Sequence, residues 1–230
     1  MFAYTLEAAL KSKSLDRLVV SSDDLELRPL AERYGVEFME RPQELATDTA
    51  SLEDSIRQVC RFLQSTDGFI PDLAVMMQGN VPVRKEGQID EVIARFQELP
   101  HATAVCTAQE LRHRPEWAKV LKNDGQARPF LSGPFGYRTQ DFQELFLLDG
   151  AVCGVRRETL FSNKQQKTAH AWLGESLYLI LQDHPMYSLE VDYPDQVSLA
   201  EFYLFCEEYG FARMREFMES FTKEDKVTLP

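Results

Sequence analysis

Positive charge is scarce in this chain. Its 25 lysines and arginines stand against 37 aspartates and glutamates, a formal net charge of −12. Such a chain repels nucleic-acid phosphates and anionic membrane surfaces, so neither is expected as a partner. An anionic substrate could bind only with help from local cations and a metal. No long apolar run and no secretory signal are present, which argues against a membrane span and points to the cytoplasm. Cysteine is also sparse. Cys60, Cys106, Cys153 and Cys206 lie far apart, with no Cys-x-x-Cys pair and no ligand-like spacing, so they read as buried, reduced thiols. Internal repeats and low-complexity tracts are missing too. What remains is 44% apolar and 27% charged over 230 residues, enough for one domain with a substantial core.

The apolar pattern alternates between two periods. Residues 2–10 read as an amphipathic helix, and Leu18–Val19–Val20 as a short strand ending at Ser21–Ser22–Asp23–Asp24, which can cap the next helix. That helix runs to Tyr34–Gly35, and 36–39 form a second strand. Thr49–Ala50–Ser51–Leu52 opens a third helix, with Ile56, Val59, Phe62 and Leu63 at helical spacing. Residues 73–77 are continuously apolar, the pattern of a strand covered on both faces. The loop 78–84 follows, then a helix over 88–99 and a strand over 102–107. Residues 113–145 are turn-rich, with a hairpin signal at Asn123–Asp124–Gly125. They read as an excursion. A buried strand over 148–155 contains a single charge, Asp149, which is expected to point at a crevice. A helix over 195–209 has Val197, Phe202 and Phe205 inward. Residues 1–210 thus read as one α/β domain, Rossmann-like with a mostly parallel sheet, and 211–230 as a charged tail.

Such sheets place ligands beyond the carboxyl ends of their strands. Ser188–Leu189–Glu190–Val191–Asp192 alternates, so as a strand it projects Glu190 and Asp192 from one face. Two carboxylates there are costly unless a cation sits between them, and Mg²⁺ on two carboxylates usually arrives with substrate phosphates. A strand end whose acids simply reach water is the bland alternative. His113 and His184 read as surface or structural residues.

The order of motifs resembles the acylneuraminate (sialic acid) cytidylyltransferases. The matching pieces are AYTLEAAL at 3–10, RLVVSSDD at 17–24 and RPQELATDTAS at 41–51. They continue with Q-x-x-x-P-x-R at 78–84, HRPEWAKVL at 113–121 and R-x-Q-D at 138–141. LDGAVCGVRRETL at 148–160 and SLEVD at 188–192 complete the set. The resemblance implies a fold of the nucleotide-diphospho-sugar transferase type and a homodimer. It also implies a reaction in which CTP and a nonulosonic acid give a CMP-sugar and pyrophosphate, with Mg²⁺. On that basis Glu190 and Asp192 are the expected catalytic metal ligands. Arg41, Gln78, Asn80 and Arg84 are expected at the nucleotide, and Arg138, Gln140 and Asp149 at the sugar.

Two departures qualify the match. Gly79–Asn80–Val81 stands where the family has Pro-Thr-Ser, leaving Asn80 as the only polar side chain of the three. This resembles the Gln-Gly-Asp of 3-deoxy-manno-octulosonate cytidylyltransferases, so another base or sugar stays open. In the family a first strand and a glycine-rich, basic loop precede the AYT helix, and that strand would lie between those at 17–21 and 73–77. The sequence given begins at the helix, so the alternative expectations are a truncated or misassigned start, a degenerate, non-catalytic dimeric relative that binds a sugar acid or nucleotide, or another segment in place of that strand and loop.

Overall fold

The computed structural model describes residues 1–47, 49–133, 138, 142–162, 169–210 and 213. Its centre is a four-stranded sheet in the order β3 (Leu73–Met76), β7 (Phe146–Arg156), β4 (Ala104–Glu110), β8 (Leu177–Leu181). β3, β4 and β8 run in one direction, and β7 runs antiparallel between β3 and β4. A separate parallel pair is formed by β1 (Val19–Ser22) and β2 (Glu37–Glu40). The excursion carries the hairpin β5 (Lys119–Leu121) and β6 (Ala127–Pro129), turned at Gly125 with φ +82°.

Helices cover both sides of the sheet. Along β4, Ala104 and Cys106 pack with Cys60 of α3 (Leu52–Asp67), Leu160 of α5 (Arg157–Ser162), Trp172 and Leu173. Val105, pointing the other way, packs with Ile89, Val92 and Phe96 of α4 (Gln88–Glu98) and Ala9 of α1 (Phe2–Leu10). This alternation is the period-2 pattern of a strand buried on both faces. A third cluster joins Leu6 of α1, Val20 of β1, Ala31 of α2 (Leu27–Arg33) and Val36. Ser51 caps α3 by accepting from the Asp54 N–H, as its sequence position leads one to expect.

Several expectations change. The 21–24 tetrad does not cap α2 directly; Asp24 accepts from the Glu26 N–H in a turn just before it. β3 is half-buried at all four positions rather than covered, because only β7 pairs with it among the described residues. Residues 189–192 form no strand. Pro185–Ser188 is a 3-10 turn, and the chain then runs irregularly into α6 (Pro194–Tyr209). In α6, Ala200 and Cys206 are buried while Val197 and Phe202 are exposed. Apolar residues ring this helix nearly all round, so periodicity sets no phase. β8 was not anticipated. Its residues, Leu177–Tyr178–Leu179–Ile180–Leu181, are apolar throughout and too short to signal strand by alternation.

Cys106 and Cys153 are register partners on β4 and β7, which sets their side chains side by side with Cα atoms 4.1 Å apart. The two lie 47 residues apart in sequence, and only the antiparallel placement of β7 brings them together. Cys60 and Cys206 are free and buried, as expected. Among the described residues no helix is long and apolar enough to cross a membrane.

Candidate functional site

The loop after β3 is fixed from three sides. The Gln78 N–H donates to Gly150 O at 3.0 Å, and the Gln78 side chain lies across Gly150, which sits at φ +63°. A Cβ at 150 would stand 2.5 Å from Gln78 Cδ, so only glycine leaves that amide its place. Gly79 is similarly pressed by the Phe2 ring of α1, 2.7 Å from where a Cβ would be. Val81 and Val83 point into the core.

Arg84 then closes the loop from beneath. It is buried, and its guanidinium donates to Ala151 O (2.8 Å), Thr5 Oγ1 (2.9 Å), Val81 O and Gln78 O. Burial pushes its pKa down to about 10, partly countered by the charge of Asp149. Every nitrogen of the fork is thus engaged within the protein. Arg84 holds the loop in shape through its carbonyls from beneath, rather than presenting its fork at the surface.

Asp149 lies at the centre of the same layer, with 0% of its surface exposed. Oδ1 accepts from Thr107 Oγ1 and the Ala151 N–H, and Oδ2 from Gln182 Nε2 and Ser188 Oγ, both at 2.8 Å. A carboxylate with no exposed surface cannot touch a sugar, so the expected sugar contact is not supported here. Residue 149 lies on β7 opposite the register irregularity of β4 between Cys106 and Ala108, where Thr107 meets its carboxylate.

From Ser188 the chain reaches the acidic pair. The Val191 N–H donates to Asn80 O at 2.8 Å, and Asn80 Nδ2 donates to Asp192 Oδ1 at 2.7 Å. The Asp192 and Tyr193 N–H groups both donate to the Gln196 side chain, which ties the segment to the first turn of α6. Glu190 is half-buried, and its pKa is raised first by burial, then by the like charges of Asp192 and Asp149. A cation here would relieve that repulsion. No group of three or more His, Cys, Asp or Glu able to hold a metal occurs among the described residues. A metal held by these two carboxylates would take its remaining ligands from elsewhere, such as phosphate or water.

The structure thus brings Gln78, Asn80, Glu190 and Asp192 together, with Arg84 and Asp149 buried beneath. Arg41 sits at the carboxyl end of β1, its Nη2 donating to Ser21 O at 2.7 Å and its main-chain N–H to Ser22 O. Arg138 is exposed, and Gln140 and Asp141 lie outside the described residues. His184 is structural, its Nδ1 accepting from the Met186 N–H at the head of the 3-10 turn. Thr5, Thr107, Gln182 and Gln88, whose Nε2 donates to Gln182 Oε1 at 2.7 Å, carried no signal in the sequence. Each acts through a partner distant in the chain.

The chain is similar to several known proteins. The N-acylneuraminate cytidylyltransferase of Streptococcus agalactiae serotype V is 26% identical over 197 residues, covering 85% of this chain and 45% of that protein. The chain therefore spans less than half the length of that relative. The CMP-N,N'-diacetyllegionaminic acid synthase of Legionella pneumophila is 23% identical over 205 residues, covering 87% of this chain and 83% of that protein. The solved structure of CMP:2-keto-3-deoxy-manno-octonic acid synthetase complexed with CTP superposes with a TM-score of 0.60 at 15% identity, covering 90% of this chain and 88% of that one. This similarity shows the fold. The family model described as Cytidylyltransferase matches residues 1–224, and it is to this family that the chain belongs.

Proposed function

We propose that this protein activates a nonulosonic acid with CTP, giving a CMP-sugar and pyrophosphate. The observation that carries the reading is the Asn80–Asp192 hydrogen bond, which joins the loop of Gln78 and Asn80 to the acidic pair in a member of this family. The names of the relatives support the substrate class.

Gln78 and Asn80 offer amide donors and acceptors to the base and sugar of the nucleotide, and Arg41 supplies positive charge at the adjoining strand end. Arg138 is the exposed cation available to the carboxylate of the sugar acid, with Gln140 beside it in sequence. The sugar hydroxyl attacks the α-phosphorus, the bond to the pyrophosphate oxygen breaks, and the hydroxyl proton leaves to a base or to water. Glu190 and Asp192 would hold Mg²⁺, which when bound offsets charge on the transferring phosphoryl group. The protein's own contribution is positioning and fixed charge. A homodimer would complete the sugar site near 113–145.

The test is pyrophosphate release with CTP, Mg²⁺ and a panel of nonulosonic and 3-deoxy-octulosonic acids. Release with at least one nonulosonate is expected, and none with any of them would overturn the proposal. Asp192→Asn should abolish turnover with the fold intact; undiminished activity would remove Asp192 from the mechanism. A binding-only role is favoured by one observation, that the donors of Arg84 are engaged by the protein's own carbonyls and not free for direct hydrogen bonds to a triphosphate. Tight CTP binding without turnover would establish that role.

A further inference from the structure

We propose that Asp149 is a positioning residue that fixes the acidic pair against the nucleotide loop, acting through Ser188 and Gln182. Its carboxylate is wholly buried, yet it is no orphan charge. Both oxygens accept two bonds each, from four donors on four different stretches of chain. Such saturation is what a buried carboxylate requires, and it makes the group a rigid junction.

The junction lies immediately before the site. Ser188 is the last residue of the 3-10 turn and is separated from Glu190 only by Leu189. Its hydroxyl donates to Asp149 Oδ2, so the starting point of the acidic segment is set by a buried anion. Gln182, just beyond β8, donates to the same oxygen and also to Tyr187 O, which fixes the turn at a second point. Gln88 of α4 donates to Gln182 Oε1 and so fixes the orientation of that amide. On the other side, Arg84 donates to Ala151 O and Gln78 O, two residues from Asp149 and at the start of the nucleotide loop.

Loop and acidic segment are therefore both referred to one short stretch of β7. Their direct contact, Asn80 to Val191 and Asp192, closes the circuit. Outer groups such as Asp149 orient the ligands of a metal.

The test compares the full chain with Asp149→Asn and with Ser188→Ala, which removes a single donor and leaves three. The first readout is hydrogen exchange at the Val191 and Asp192 amides, which does not depend on any ligand. Both variants should exchange there about tenfold faster or more, while α3 and the β1–β2 pair keep wild-type protection. Wild-type exchange at 191 and 192 in folded variants would overturn the proposal, as would a uniform rise across the chain, the mark of a merely structural role. If Asp149→Asn fails to fold, Ser188→Ala decides alone.

The second readout rests on the cytidylyltransferase reading. Mn²⁺ is titrated in the presence of CTP, and its affinity should fall by about 10–100-fold in Asp149→Asn. Wild-type Mn²⁺ affinity in that variant overturns the proposal. If the wild-type chain itself takes up no Mn²⁺, the metal reading of Glu190 and Asp192 fails, and the exchange data still decide the role of Asp149.

Discussion

Replacing Arg84 with methionine separates a structural clamp from a nucleotide ligand. Methionine keeps an unbranched stem of similar reach and removes all the donors. The carbonyls of Gln78, Val81 and Ala151 and the hydroxyl of Thr5 lose those bonds, and the buried Asp149 loses its nearest cation. Each hydrogen bond to a charged group contributes roughly 1.5–3 kcal/mol when taken singly. The total is smaller than their sum, because burying the guanidinium is itself unfavourable, as its pKa pushed down to about 10 records. Breaking a buried charged junction by removing one side destabilises by about 3–5 kcal/mol. In a chain of 230 residues, about 2–4 °C per kcal/mol puts the fall in Tm on the order of 6–20 °C. Lysine keeps the charge and loses the fork, so Arg84→Lys should fall between the two. Thermal and urea unfolding measure this directly. An Arg84→Met protein that melts within about 2 °C of wild type but no longer binds CTP would refute the clamp and return Arg84 to the nucleotide.

Two further predictions follow the same geometry. Gly150→Ala forces an alanine into the left-handed region, at about 1–2 kcal/mol, and drives the new Cβ into the Gln78 amide. Reduced stability and weaker CTP binding by calorimetry are expected, and unchanged CTP affinity would remove Gln78 from the nucleotide site. Glu190 has a raised pKa in the folded protein, so between the ordinary glutamate value and that raised value the native state holds the extra proton. Stability then falls as pH rises through this window. Glu190→Gln should gain on wild type as pH rises above the ordinary glutamate value through that window, in denaturation at each pH, by a modest amount because the group is half-exposed. A difference that does not grow with pH would contradict the shift.

Much of the fold was legible because local rules agreed with it. Ser51 before an apolar helical period gives α3 its cap, and Asn123–Asp124–Gly125 turns the β5–β6 hairpin. The residues of the site were legible in part, through the ordered motifs from 3 to 192. Their roles were not. Arg41, Gln78, Asn80, Glu190 and Asp192 lie on exposed or half-exposed loops. Arg84 and Asp149 belong to the same motifs yet face inward, and sequence spacing carries no sign of which way a loop residue turns.

The sequence alone determined the family, the strand–helix alternation and the candidate acids, because periodicity, caps and motif order are written in near neighbours along the chain. Tertiary structure decided what depends on distant partners. The pairing of β7 with β4 sets Asp149 among Thr107, Gln182 and Ser188 and Cys106 beside Cys153. The fold of 78–84 over Gly150 sets Arg84 beneath it. A charge is a ligand or a girder according to what surrounds it, and those surroundings come from residues tens of positions away.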